Sequence, residues 1–179
     1  MFTIVKDTEK KLREKSVPVE LPLNAHDKKT LLNMVEYLKN SQDPEFVEKH
    51  HIREGVGLAA PQIGLNKRML AVYFKKDEEL IVHALVNPKI IAHSVKMAYL
   101  STGEGCLSVD SEHPGYVYRP NKVTIQAFDV IKNAPVEIVA RGFEAIVLQH
   151  EMDHLDGILF YDRIDKTSPM KQDENAISI

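Results

Sequence analysis

Two histidines and a glutamate in the last third of the chain have the spacing of a metal-binding helix. His150, Glu151 and His154 form an H-E-x-x-H pattern. At about 100° per residue, the two histidines lie roughly 40° apart on one helix face, so both imidazoles can reach one metal ion. Glu151 lies at the flank of that face, where a general base is wanted. The pattern predicts a catalytic metal centre, and the alternative is a pair of hydrogen-bonded core histidines.

A catalytic tetrahedral site needs a third protein ligand and leaves the fourth position to water. Many H-E-x-x-H hydrolases take that ligand from further along the chain, where only Asp156, Asp162 and Asp165 are on offer. The other candidate is Cys106, the single cysteine among 179 residues. A lone cysteine is more often a small buried hydrophobe. It also excludes an intramolecular disulfide framework and a four-cysteine zinc site.

Small residues dominate the segment EGVGLAAPQIG at 54–64. It lacks the Gly-Lys-Ser/Thr ending of a phosphate loop and does not match G-x-G-x-x-G. One interpretation is a tight loop at a packing crossover. The other is that its exposed backbone groups pair with an extended peptide, while the Gln62 amide donates to a developing oxyanion.

Sequence patterns predict both the helices and the strands that must position these residues, and together they indicate an α+β domain. Helical periodicity predicts a helix at 27–40 with Asp27 as its N-cap, and a short second helix at 45–52. A mostly apolar helix at 142–156, ended by Gly157, carries both histidines.

Runs of β-branched and aromatic residues predict strands, with turn signals such as Asn87-Pro88 between them. These strands are expected at 69–74, 80–86, 89–100, 122–128 and 136–140. Most connections are too short for crossover helices, so we expect antiparallel or mixed sheets packed around the histidine helix. The whole chain, 1–179, is expected to be one domain, with the tail at 166–179 loosely packed or ending in a short edge strand.

Composition narrows the class of protein. The formal net charge is -3 and 44% of the residues are hydrophobic, which fits a globular protein and argues against a general nucleic-acid binder. No apolar run is long enough for a membrane span, and the first residues lack the apolar core of a signal peptide. We therefore expect a cytoplasmic protein with no DNA or membrane partner.

Three segments, in this order and spacing, resemble the signature motifs of the peptide deformylases. They are GVGLAAPQIG at 55–64, EGCLSV at 104–109 and QHEMDHLDG at 149–157. The final Val109 of EGCLSV and the stretches at 38–53 and 111–120 resemble the longer class, typical of low-GC Gram-positive bacteria.

The resemblance implies a reaction and a set of roles. The reaction is hydrolysis of the N-formyl group from the formyl-methionine end of a newly made protein, releasing formate. The implied metal is Fe(II), although zinc, nickel or cobalt can occupy such a site, and its implied ligands are Cys106, His150 and His154. Glu151 is the implied general acid/base, while Gln62 and the Leu107 N–H hold the carbonyl oxygen.

The resemblance also implies substrate contacts. Val56, Phe143 and Ile146 are expected to form the pocket for the methionine side chain, with plain core packing as the alternative for each. The segment Val56-Gly57-Leu58 is expected to pair with the peptide backbone as a strand would. Glu104 is expected to orient one of the ligating histidines.

The expected partners are N-formyl-methionyl nascent peptides, and a transient contact with the ribosome stays open. The tail after Lys166 does not resemble the long C-terminal helix of the shorter class, so docking through that helix is not expected. We expect a monomer. A zinc peptidase that cleaves internal peptide bonds, and a binding module with a closed four-ligand structural metal site, are the competing hypotheses.

Overall fold

The computed structural model describes all of residues 1–179. Its three α-helices are α1 (Ala25–Ser41), α2 (Pro44–His50) and α3 (Phe143–Leu155). Its strands are β1 (Gly57–Ala59), β2 (Met69–Lys76), β3 (Glu79–His93), β4 (Met97–Tyr99), β5 (Arg119–Pro120), β6 (Lys122–Asp129), β7 (Ala134–Arg141) and β8 (Ile177–Ser178). The main sheet has the order β1-β2-β3-β6-β7 and is antiparallel throughout, and a smaller mixed sheet has the order β5-β4-β8. The predicted α+β fold with antiparallel and mixed sheets is confirmed.

The main sheet is covered by a helix on each face because side chains alternate along its strands. In β2, Met69 and Ala71 belong to the apolar core that contains α1, whereas Leu70 and Val72 belong to the core that contains α3. Every residue of α3 from Ala145 to Leu155 is buried. The histidine-bearing helix therefore lies inside the molecule, and any polar group on it must find a partner or serve a function.

The predicted helices exist, with two corrections at their starts. The N-cap of α1 is Asn24 and not Asp27, because the Asn24 side chain accepts a hydrogen bond from the Asp27 N–H at 2.8 Å. In α2, Pro44 begins the helix instead of preceding it, since proline suits the first helical turn and Asp43 caps it.

The predicted turn at Asn87-Pro88 is wrong. Strand β3 continues through it, with a bulge in its pairing with β6 between Val86 and Lys89. The Asn87 amide instead pairs with the backbone of Val19, accepting at 2.8 Å and donating at 2.8 Å. The predicted strand at 89–100 is in turn two strands, β3 and β4, in different sheets.

Two short strands complete the frame of the site. The segment at 57–59, for which the sequence left open a tight loop or strand-like pairing with a peptide, is β1 and forms an edge of the main sheet. The edge strand expected at the end of the tail is β8, which pairs in parallel with β4. None of the α-helices has the length and apolar composition needed to cross a bilayer.

Candidate metal centre and catalytic cleft

Helix α3 and the loop before β5 bring three potential metal ligands together. The ligand atoms of Cys106, His150 and His154 all lie within 4.8 Å of one another. Cys106 Sγ lies 3.3 Å from His154 Nε2, and the two imidazole rings are 5.2 Å apart between centroids. One turn of helix sets the histidine spacing, and the loop supplies the thiol from 44 positions earlier in the chain than His150.

The aspartates that follow His154 in the sequence bind other partners. Asp156 accepts from Arg68 at 2.9 Å, and Asp162 forms an ion pair with Arg13. Asp165 accepts from two backbone N–H groups in the exposed tail. None of the three joins the donor group, which leaves a set of one thiol and two imidazoles.

This donor set fits a divalent transition metal with an open coordination position. Thiolate and imidazole are the ligands that such ions take in catalytic sites with three protein ligands. His154 Nδ1 is buried without a hydrogen-bond partner, and burial, followed by the charges of His150 and Arg119, lowers the pKa of His154 well below its usual range. A neutral imidazole is the form that binds a metal ion.

Glu104 orients the other imidazole. Its Oε1 lies 2.8 Å from His150 Nδ1, as expected from the sequence. Burial alone would raise the pKa of Glu104, but the hydrogen bond with His150 and the ion pair with Arg119 lower it to about 2. A carboxylate fixed in its charged form can hold the Nδ1 proton of His150 and leave Nε2 for a metal ion.

Arg119 anchors that carboxylate and was not predicted from the sequence. Its guanidinium donates to both oxygens of Glu104 at 2.8 and 3.0 Å, and to Asp153 at 2.8 Å. Arg119 is only 2% exposed, and such burial is uncommon for arginine unless it is paired. The sequence signal was weak: a single arginine before a proline, in a segment that predicts no long strand.

Glu151 lies in the same cleft but, unlike Glu104, its carboxyl group has no hydrogen-bond partner that would hold it in the charged form. It is 4% exposed, and its Oε2 is buried without any hydrogen-bond partner. Burial raises the pKa of Glu151 to about 7. A carboxyl group poised there can accept and release a proton near neutral pH.

Gly57 makes room for that carboxyl group. A Cβ placed on Gly57 would lie 2.7 Å from Glu151 Cδ, so the Glu151 side chain would have to move to accommodate it. Gly57 therefore has a local physical reason: a side chain at this position would displace the Glu151 carboxyl group from its place in the cleft.

The predicted oxyanion donors lie beside the thiol. The Gln62 amide nitrogen is 3.5 Å from Cys106 Sγ and donates to Ser108 Oγ at 3.1 Å, while its oxygen accepts from the Ala59 N–H at 2.9 Å. The Leu107 N–H donates to no acceptor in the protein. Gln62 and Leu107 both line the cleft that contains the three potential ligands.

A cleft of about 880 Å³ surrounds these groups. Of the predicted substrate contacts, Val56, Gly57, Phe143 and Ile146 line it, while Leu58 does not: its side chain is fully buried in the core with α1. Val56 and Phe143 also pack against the core with α3, so core packing and cleft lining coexist. The sequence reasoning missed further lining residues, which include Leu100, Thr102, His113 and Val147.

Comparison with known proteins points to one family. The family described as polypeptide deformylase matches residues 1–170. The peptide deformylase 2 of Bacillus subtilis (strain 168) is 50% identical over 180 residues, covering 100% of this chain and 97% of that protein. The Gram-positive source of this relative agrees with the class predicted from Val109 and the stretches at 38–53 and 111–120.

Solved structures give the same result. The crystal structure of peptide deformylase from Thermus thermophilus superimposes with a TM-score of 0.76 at 30% identity, covering 94% of this chain and 89% of that chain. A Met-Ala-Ser-bound class I type b peptide deformylase from Acinetobacter baumannii superimposes with a TM-score of 0.72 at 32% identity, covering 91% and 98%.

Proposed function

Since the chain belongs to the polypeptide deformylase family, we propose that Cys106, His150 and His154 hold one divalent metal ion and that Glu151 moves the proton in the hydrolysis it performs. The family consists of metal-dependent hydrolases that remove the N-formyl group from the N-terminus of newly made proteins, and this chain is such an enzyme. The observation that carries the residue assignment is the unpartnered Glu151 carboxyl group beside a thiol and two imidazoles in one cleft.

The ion proposed for this site is Fe(II), with zinc, nickel or cobalt as substitutes in purified protein. When bound, the ion supplies Lewis-acid chemistry, which polarises a carbonyl group and lowers the pKa of water. The thiol of Cys106 favours soft or borderline metals of this kind, and it exposes the site to oxidation.

The remaining chemistry falls to the protein's own groups. Glu151 accepts a proton from the attacking water and passes it to the amine that leaves. The Gln62 amide and the Leu107 N–H donate to the formyl oxygen as negative charge develops there. The role of Gln62 is supported by its burial and by the Ala59 N–H, which fixes the amide by donating to its oxygen at 2.9 Å.

We propose that the substrate binds along β1. This strand bonds only to β2, so its other edge is available to an extended peptide, and Val56 and Gly57 line the cleft on that side. Val56, Phe143 and Ile146 then receive the methionine side chain. This assignment is supported by the structure of the Acinetobacter baumannii deformylase, which has Met-Ala-Ser bound.

Residues 1–179 are proposed to act as one catalytic unit. We further propose that it works as a monomer in the cytoplasm on chains that emerge from the ribosome. The place of action follows from the substrate, since formylated N-termini first become available there. The monomer is supported by the fact that one chain supplies all three potential ligands and Glu151.

The test combines elemental analysis with a formate-release assay on anaerobically purified protein. We expect about one metal ion per chain and formate release from formyl-Met peptides, without cleavage of internal peptide bonds. Internal cleavage without deformylation would favour the zinc peptidase, and full activity of Glu151→Ala would favour a structural metal site.

A further inference from the structure

Residues 176–179 lie beside the cleft, and we call them the terminal strap. Strand β8 runs parallel to β4, with Ser178 opposite Tyr99. The Ile179 N–H donates to the Tyr99 carbonyl at 2.9 Å. The strap thus extends the small sheet at the point where the chain leaves β4 for the cleft wall.

The strap holds the turn that follows β4, residues 100–103. The N–H and the hydroxyl of Ser101 both donate to the main-chain oxygen of Ile179, at 2.8 and 3.0 Å. The turn also closes on itself, since the Gly103 N–H donates to the Leu100 carbonyl at 2.9 Å. Leu100 and Thr102 line the cleft, whereas Ser101 does not.

The strap also contacts the start of α3, which contributes another lining residue of the cleft. The Ile179 side chain lies over Gly142: a Cβ placed on that glycine would be 3.6 Å from Ile179 Cδ1. Gly142 is the N-cap of α3, and the next residue is Phe143, which lines the same cleft as Leu100. Ile179 therefore joins the turn through its backbone and the start of α3 through its side chain.

The chain that leads into the strap is itself fixed. The Tyr118 hydroxyl donates to the Lys171 carbonyl at 2.7 Å and accepts from the Asp173 N–H at 3.0 Å. The Tyr99 ring packs against Tyr116 and Tyr118, with centroids 4.7 and 5.0 Å away. These contacts anchor the tail at two places, so the strap can transmit its position to the cleft.

We propose that the terminal strap sets the distance between the turn at 100–103 and Phe143, and with it the width of the pocket for the first side chain of the formylated peptide. The inference rests on the proposed function. Ser101 and Ile179 are positioning residues, because neither lines the cleft. Because the strap fixes the turn at 100–103, the pocket keeps one width and favours a side chain that fills it over one that does not.

The experiment compares formyl-Met-Ala-Ser with formyl-Ala-Ala-Ser in four proteins: the wild type, a chain that stops after Asn175, Ile179→Ala, and the control Ile91→Ala. Ile91 is 42% exposed and Ile179 is 38% exposed, but Ile91 lies on β3. We expect the Met-to-Ala ratio of kcat/KM to fall about tenfold in the shortened chain, through KM. The ratio should fall less in Ile179→Ala and should not fall in Ile91→Ala. The conservative variant Ile179→Val should keep the wild-type ratio.

Hydrogen exchange supplies a readout that does not depend on turnover. In Ile179→Ala, which keeps most of the strap, we expect the Gly103 amide to exchange faster than in the wild type. If the wild-type protein released no formate, the proposed function would be wrong. The hydrogen-exchange measurement would still test whether the strap holds the turn. An unchanged selectivity ratio, an equal loss for both peptides, or unchanged exchange at Gly103 would each overturn the proposal.

Discussion

Two regions of the molecule each bury a carboxyl group, one on either face of the main sheet. Asp27, in the first turn of α1, is 2% exposed, and Glu151, in α3, is 4% exposed. Asp27 accepts from the Asn24 amide at 2.8 Å and from Lys67 Nζ at 2.6 Å. Glu151 has an oxygen with no partner at all.

The pKa of each of these two carboxyl groups depends on its hydrogen-bond partners. Burial would raise the pKa of Asp27, but the hydrogen bonds from Lys67 and Asn24 outweigh burial and lower it. For Glu151, burial prevails and raises the pKa to about 7. A buried group whose partners are complete stabilises the fold, whereas a buried group without partners costs stability and is retained for its chemistry.

The largest expected effect is on Glu151→Gln. We expect turnover to fall about a thousandfold, because the group that moves the proton is lost. Metal content and melting temperature should not fall, since no hydrogen bond of Oε2 is broken. Formate release, metal analysis and thermal unfolding test this, with Asp156→Asn at the end of the same helix as the control. Loss of turnover accompanied by clear destabilisation would make Glu151 resemble Asp27 and would break the comparison.

The second-largest effect is expected for Gln62→Met. It keeps the side-chain volume but removes the amide donor, so we expect kcat/KM to fall about a hundredfold. Ser108→Ala is the matched control, because it removes only the hydroxyl that the amide contacts at 3.1 Å. Steady-state kinetics on one formyl-Met peptide compares the two. Equal losses in both variants would mean that Gln62 acts through packing and not through its N–H.

Glu104→Gln sharpens the comparison with a third buried carboxylate, which has partners and yet serves the site. We expect metal affinity to weaken roughly 10- to 100-fold, because His150 loses the acceptor that fixes its ring. Competition with a chelator measures the affinity, and Asp110→Asn, an exposed carboxylate on the same loop, should leave it unchanged. Wild-type affinity in Glu104→Gln would reduce the Glu104–Arg119 pair to a structural role.

The sequence predicted the helix-borne half of the site better than the rest. His150, Glu151 and His154 sit within one turn and a half of a single helix, so their relation follows from helical geometry alone. The contact of Cys106 with His154, 48 positions away, came only with the family resemblance. No local periodicity encodes such a distance.

The fold shows the same division. Long periodic elements such as α1 and α3 were predicted within a few residues of their bounds. The predicted turn at Asn87-Pro88 failed because Val19, distant in sequence, satisfies the Asn87 amide and lets the strand continue through a bulge. The contact of Ile179 with Ser101 likewise depends on two segments meeting, which no single segment reveals.

The smallest effect belongs to Asp27→Asn, and it concerns stability alone. Because the folded-state pKa of Asp27 is lowered, its contribution is full above the unfolded-state value near 4 and disappears as the pH falls through the lower folded value. We therefore expect Asp27→Asn to lower the free energy of unfolding by about 2 kcal/mol at pH 7, with a smaller difference from wild type near pH 3. Denaturant unfolding at both pH values tests this, with the exposed Glu36→Gln of α1 as the control. Turnover should remain at the wild-type level, since Asp27 lies across the sheet from the cleft, and a loss of turnover without destabilisation would contradict a purely structural role.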